Sequence, residues 1–451
     1  MNAIENKTTF NGEIKEIVVL FLPIALMTFS ASLMLFVERL FFARLSTLAM
    51  ESAVNATYVY RIFQGPCISL AMMAQVYVGR LYGASKLINI GQNVWQFIWF
   101  SLFSMIVTLP ISLLFGQLYF DSTVLGESAL PYFYCLMSMN FLYPLGACLS
   151  CFMLGRGKTR LILFTTLFSQ LTNILLVYCF VFGLGEWLPP LGLIGGALGT
   201  LIAQGGYCLI LAANFLSEKN ARLFGTWNWH FQPALFWDCI YPGLLRALNR
   251  ISIFFCWATM AHMMIEKEGD YLLIWSVGSA IGLFLPFIGD ALSQAFTTVL
   301  ANMLGAKRVH LFANAEKSAR LIVLIIIGVF TIPMLIFPDA TFHLLFPGIA
   351  LTSTSIGKIF FGLWLAFVFW NFTTIPISYV LTFKDTKFML YTGLTSWINV
   401  FSLMYIAVNI FMISPDDFWI VLSLSNFIDF IIFYWRAHWL KNSRHVAANL
   451  I

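Results

Sequence analysis

The sequence predicts an all-α integral membrane protein with twelve transmembrane helices arranged as two pseudo-symmetric six-helix bundles. Composition, the alternation of loop charge and an internal repeat carry that expectation. Of 451 residues, 60% are hydrophobic and only 10% are charged, and the mean hydropathy is +0.86. A soluble domain needs roughly 25% charged residues to hydrate its exterior. A soluble enzyme, a disordered chain and a nucleic-acid binder are therefore excluded. The eight cysteines all fall in or at the edges of apolar runs, so no disulfide framework is expected. Cys148 and Cys151 have redox spacing, but they sit inside an apolar helix.

Crossing the hydrocarbon core takes about 20 apolar residues, and lipid cannot satisfy free backbone N–H and C=O groups, so each crossing must be helical. Twelve runs qualify: 17–40, 57–79, 94–116, 129–155, 161–185, 192–216, 235–264, 271–300, 320–338, 356–382, 388–412 and 416–437. The first follows sixteen mostly polar residues and lacks a small-residue cleavage site, which reads as a retained span. With both termini inside, 18 of the 25 Lys and Arg fall in the terminal segments and inner loops, among them Arg80, Lys86, Arg156, Lys158, Lys307 and Arg308. The opposite loops hold acids such as Glu127, Asp339, Asp416 and Asp417. Basic residues collect on the cytoplasmic side of membrane proteins, so both termini are expected there. The short loops suit a bacterial inner membrane.

The longest polar connection, 217–233, divides the chain into a first bundle (1–216) and a second with a cytoplasmic tail (234–451). Pro23 and Pro242 sit at equivalent depth in spans 1 and 7. VGRLYGASK (78–86) closes span 2 as ANMLGAKR (301–308) closes span 8, and LGRGKTRL (154–161) follows span 4 as LTFKDTKF (381–388) follows span 10. These landmarks are separated by 219, 222 and 227 residues, and so steady an offset argues for duplication. Repeat-built membrane proteins of this kind are typically alternating-access transporters with sites at the repeat interface.

FVERLFFARLSTLAMESAV (36–54), AQVYVGRLYGA (74–84), NILLVYCFVFGLG (173–185) with LGLIGGALGT (191–200), and LANMLGA (300–306) together resemble the multidrug and toxic compound extrusion (MATE) transporters over essentially the whole chain. The resemblance implies two six-helix bundles around a central cavity. It also implies export of small molecules coupled to inward flow of H⁺ or Na⁺. A related superfamily branch flips lipid-linked sugars.

Charge inside hydrocarbon costs several kcal/mol unless paired or wetted, so ionisable residues within spans are functional candidates. Glu38 lies fifteen residues past Pro23 in the outer half of span 1. Desolvation there disfavours the charged carboxylate, so its protonation can follow the state of the cavity. The resemblance implies that Glu38 carries the coupling ion, and that Asn173 and Thr200 are further members of that site. Acid, amide and hydroxyl oxygens are hard ligands that suit Na⁺ or relay a proton. The family often places a second acid or amide four residues after the asparagine; here that residue is Val177. The competing structural reading pairs Glu38 with Arg39 or Arg61.

In the second half, Arg246 and Arg250 are four residues apart and share one helix face. Where some MATE members place acids near Arg250 and near Trp370–Asn371, this chain has an arginine and a neutral amide, so a second-lobe Na⁺ site of that type is not expected. Asp290 and Asp429 are the deep counter-charge candidates. Either these groups form an Arg–Asp cluster that holds the second bundle together, or an arginine faces the cavity and binds an anionic group, since a guanidinium fork matches carboxylate or phosphate. Trp257 and Asn371 join Arg246, Arg250, Asp290 and Asp429 as cavity candidates, because indole rings can stack on organic cations.

Two functions follow from these readings. The first is a secondary antiporter exporting small amphipathic, drug-like molecules, cationic ones included, in exchange for H⁺ or Na⁺. The second is a flippase or transporter for an anionic or lipid-linked saccharide. No phosphate-binding loop or H-E-x-x-H motif is present, so an enzyme is not expected. No cofactor or structural metal is expected beyond the coupling ion. The expected partners are the lipid bilayer and a small-molecule substrate, with the chain acting as a monomer.

Overall fold

The computed structural model describes residues 10–120, 126–185, 187–265, 271–282, 285–346 and 351–442. Among the described residues every regular element is helical. In the first half these are α1 (Ile14–Leu45), α2 (Thr47–Ala71), α3 (Ala74–Gly83), α4 (Asn89–Phe120), α5 (Gly126–Ser138), α6 (Leu142–Leu154), α7 (Thr159–Phe182), α8 (Gly192–Phe215) and the short α9 (Glu218–Phe224). The second half has α10 (Pro233–Ile265), α11 (Tyr271–Gly282), α12 (Pro286–Gly305), α13 (Phe312–Thr331), α14 (Pro338–Leu345), α15 (Ser353–Thr382), α16 (Thr386–Tyr405) and α17 (Phe418–Asn442). Single π turns, Ile332–Ile336 and Ile406–Ile410, extend α13 and α16.

Among the described residues nine helical stretches are long and apolar enough to cross a membrane, and the pair α5–α6, bent by 41°, makes a tenth. The 33-residue α10 and the α11–α12 pair take the seventh and eighth positions. Each of the twelve expected runs thus coincides with one helix or one broken helix, giving an all-α twelve-span fold.

Three expected continuous spans are interrupted, and the local chemistry accounts for two of the breaks. Pro144 has no N–H for the carbonyl of Asn140, and a proline ring clashes one turn back. The turn at 139–141 tightens instead, with Leu142 N–H bonding the Met139 carbonyl at 3.0 Å. Pro286 opens α12 at the first helical position, where its missing N–H costs nothing. The break at Met72–Met73 contains neither Pro nor Gly, and nothing in its own residues accounts for it. Residues expected as loop form α9 and α14; the latter starts with Pro338 and places Asp339 in its first turn, favourable at the positive end of the helix dipole.

The chain forms two compact units. One comprises Leu26–Leu248 with Leu304–Lys307, the other Met1–Ala25, Asn249–Met303 and Arg308–Ile451. The first packs Phe42, Tyr60, Phe120, Phe133, Val177 and Ala197 into one core. Its α7 and α8 lie close because α8 presents glycine to α7: a Cβ at Gly199 would stand 2.8 Å from the Val177 amide nitrogen, and one at Gly195 would collide with the Phe180 carbonyl. Small residues at such contacts are how helices approach where lipid supplies no hydrophobic drive. In the other unit Trp275 stacks on Trp419 at 5.5 Å above Phe342, Phe360 and Phe418. Glu316 on α13 takes ion pairs from Arg320 and Lys441 and a hydrogen bond from the Tyr379 hydroxyl at 3.1 Å, tying α13, α15 and α17 together.

Candidate functional site

Glu38 reaches α7 and α8 from α1. Its Oε1 accepts hydrogen bonds from Thr200 Oγ1 at 2.9 Å and from Asn173 Nδ2 at 3.1 Å. Thr200 Oγ1 also lies 3.3 Å from Asn173 Oδ1. The three residues singled out in sequence, separated by up to 162 positions, therefore meet at one carboxylate oxygen. The glycine contacts of α8 bring this about: Gly199 precedes Thr200, and the α7 residue it touches, Val177, is one turn from Asn173. Asn173 is 8% exposed and Glu38 is partly buried.

The arginines of the competing reading do not pair with Glu38. Among the described residues no ion pair involves this carboxylate, and Arg61 and Arg39 act on it only through longer-range charge. Val177 is fully buried in the apolar core. The site consequently offers one negative charge and two neutral oxygen donors. A proton fits it directly. A monovalent metal ion fits if Asn173 and Thr200 turn their oxygens to it, since both now donate to Glu38.

Tyrosines near the site escaped the sequence reading. Tyr132 and Tyr143 lie close enough to Glu38 to feel its charge. Tyr143 packs edge-on against Tyr60 at 5.9 Å, and Tyr132 against Phe42 at 5.8 Å. Tyr60 also accepts a hydrogen bond from Gln64 at 3.1 Å. Tyrosine is ordinarily an interface anchor; a Tyr–Gln pair four residues apart inside an apolar run was the available signal.

The second-half candidates are scattered by comparison. Arg246 contacts the Met73 sulfur at 3.7 Å, at the α2–α3 break. Asp290 lies in the second turn of α12. Asn371 is fully buried on α15, donating to the Phe367 carbonyl at 2.9 Å, while its Oδ1 has no hydrogen-bond partner among the described residues. Asp429 on α17 accepts a hydrogen bond from Ser396. The side chains of Arg250 and Trp257 lie outside the described residues.

Removing the Thr200 hydroxyl tests the geometry. Thr200→Val deletes one hydrogen bond to a carboxylate, a contribution of about 1.5–3 kcal/mol. On the expectation that Glu38 carries the coupling ion, the apparent affinity for that ion should change by about tenfold or more, while Thr200→Ser restores it. Transport rate titrated against cation concentration measures both.

The described residues thus form a helical fold in which one carboxylate is held by two neutral ligands. Comparison with known proteins shows what the chain is similar to. Residues 23–179 match the MatE family model. The chain is 22% identical over 97% of its length to a probable multidrug resistance protein NorM of Mannheimia succiniciproducens, covering 96% of that protein. It is 25% identical over 216 residues to a protein of the same description from Bacillus subtilis, covering 46% of each chain. Among solved structures it is similar to an outward-facing multidrug resistance MATE family transporter (TM-score 0.84, 15% identity, 98% of this chain and 99% of that one). It is also similar to a MOP superfamily transporter from Pyrococcus furiosus (TM-score 0.81, 18% identity, 95% and 96%). The likeness to MATE transporters read from the sequence motifs is thus shown by the matched segment and by the fold of the whole chain.

Proposed function

We propose that the protein is a secondary antiporter that exports small amphipathic organic molecules against an inward flow of H⁺ or Na⁺ captured at Glu38. The observation that carries this reading is the convergence of Asn173 and Thr200 on one oxygen of Glu38, with no ion pair to that carboxylate among the described residues. A partly buried acid with no cationic partner among the described residues is costly to keep charged, so binding a cation would relieve it. A ligand shifts a two-state equilibrium only by its differential affinity for the two states. Cation binding at Glu38 would favour the state that releases cargo outward, and inward loss of the cation would reset it. The names of the two NorM relatives support drug-like cargo. The loop charges support cytoplasmic termini and a plasma-membrane location.

Purified protein in proteoliposomes decides the matter. Ethidium should accumulate against its gradient when a pH or Na⁺ gradient is imposed, and only while that gradient lasts. Accumulation in neither arm, with ethidium and with a panel of organic cations and anions, would overturn the reading. Movement of a lipid-linked saccharide in the same vesicles would instead favour a flippase.

A further inference from the structure

The unit that contains α16 and α17 holds a second carboxylate at mid-span depth. Asp429 is the twelfth residue of the 25-residue α17, which puts it about 17 Å along the helix at 1.5 Å per residue. Its Oδ2 accepts a hydrogen bond from Ser396 Oγ on α16 at 2.8 Å. Among the described residues no Lys, Arg or His lies within ion-pair distance of it. Arg436, two turns further along α17, is held by Asp385 at 2.7 Å. Lys358, the basic residue of α15, is held by Asp417 at 2.9 Å, and Lys387 on α16 lies nine residues before Ser396. From α10, Asn249 packs against Gly393, one turn before Ser396, next to Arg250, whose side chain lies outside the described residues. Among the described residues the Asn249 Oδ1 and the Nδ2 of Asn399, three residues past Ser396, are buried without hydrogen-bond partners.

The repeat gives this cluster its meaning. The 227-residue offset that aligns LGRGKTRL with LTFKDTKF makes α16 and α17 the counterparts of α7 and α8. It carries Ser396 and Asp429 onto positions 169 and 202, within about one turn of Asn173 and Thr200. The same pair of helices in each repeat therefore supplies a hydroxyl that donates to a carboxylate, Thr200 to Glu38 and Ser396 to Asp429. In the first repeat the acid comes from a third helix; in the second, α17 carries it.

We propose that Asp429 and Ser396 form a second site for a small monovalent cation, H⁺ or Na⁺, that carries one coupling ion per cycle beyond the one at Glu38. This rests on the antiport reading. Asp429→Asn keeps the shape and the hydrogen bond to Ser396 but removes the exchangeable charge. In proteoliposomes with a tenfold pH gradient, or in a parallel arm a tenfold Na⁺ gradient, the limiting ethidium accumulation ratio should fall about tenfold in the coupled arm, since each lost ion removes one factor of the gradient. Transport itself should persist. Glu38→Gln is the separate test of the first site, so its result leaves this one standing or falling alone. A wild-type ratio for Asp429→Asn in both arms would overturn the proposal. A hydrogen bond of purely structural use would alter stability without moving that ratio. Labelling of the purified wild-type protein with a hydrophobic carbodiimide gives a readout that needs no variant. Asp429 should be modified, and raised pH or added Na⁺ should slow the reaction; a rate indifferent to both would also overturn it.

Discussion

Glu38→Gln should abolish gradient-driven ethidium accumulation, lowering it to the level of protein-free vesicles, while the protein still purifies as a folded species. The amide occupies nearly the same volume and can keep hydrogen bonds to Thr200 and Asn173, which contact Oε1 at 2.9 and 3.1 Å. What it loses is the capacity to alternate between charged and neutral forms. Replacing a carboxylate with a neutral group inside hydrocarbon lowers the desolvation cost, so instability is not the expected cause of failure. Ethidium binding to the detergent-solubilised variant, measured by fluorescence anisotropy, should stay within a few-fold of wild type. Full gradient-driven accumulation by the variant would eliminate Glu38 as the coupling residue.

Gly199→Leu should be as damaging by another route. A Cβ at 199 already approaches the Val177 backbone to 2.8 Å, and backbone cannot step aside as a flexible side chain would. Overpacking of this sort costs about 1–3 kcal/mol, and here the strain falls on the contact that brings Asn173 to Thr200. Thermal unfolding followed by tryptophan fluorescence should show a midpoint several degrees lower, with coupled transport lost. Gly205→Leu on the same helix, where an added Cβ meets nothing within 4 Å, should leave both unchanged. Equal behaviour of the two variants would show that close approach of α7 and α8 is not what holds the site.

The spans were legible because the bilayer imposes a length and a polarity that few sequences satisfy by accident, so runs such as 192–216 and 356–382 reappear as α8 (Gly192–Phe215) and α15 (Ser353–Thr382). Breaks within spans were less so. Pro144 and Pro286 mark two of them, but Met72–Met73 has no local signature, since it holds neither proline nor glycine. Glu38 stood out as a charge in an apolar run. Asn173 and Thr200 required the family motifs, since an isolated Asn or Thr in a membrane helix can bond within its own helix, as Asn371 does. The tyrosines around Glu38 were hidden among 46 Phe and 16 Tyr, where aromatic identity alone does not separate a pocket wall from a lipid-facing ring.

Both hydrogen-bond partners of Glu38 are electrically neutral, so under the proposed antiport the vacant carboxylate would bear a net charge that a bound monovalent cation would cancel. A transmembrane voltage exerts about 2.3 kcal/mol per elementary charge per 100 mV over a full traverse. On that reading it would pull on the ion-free form of the site and leave the ion-loaded form unmoved.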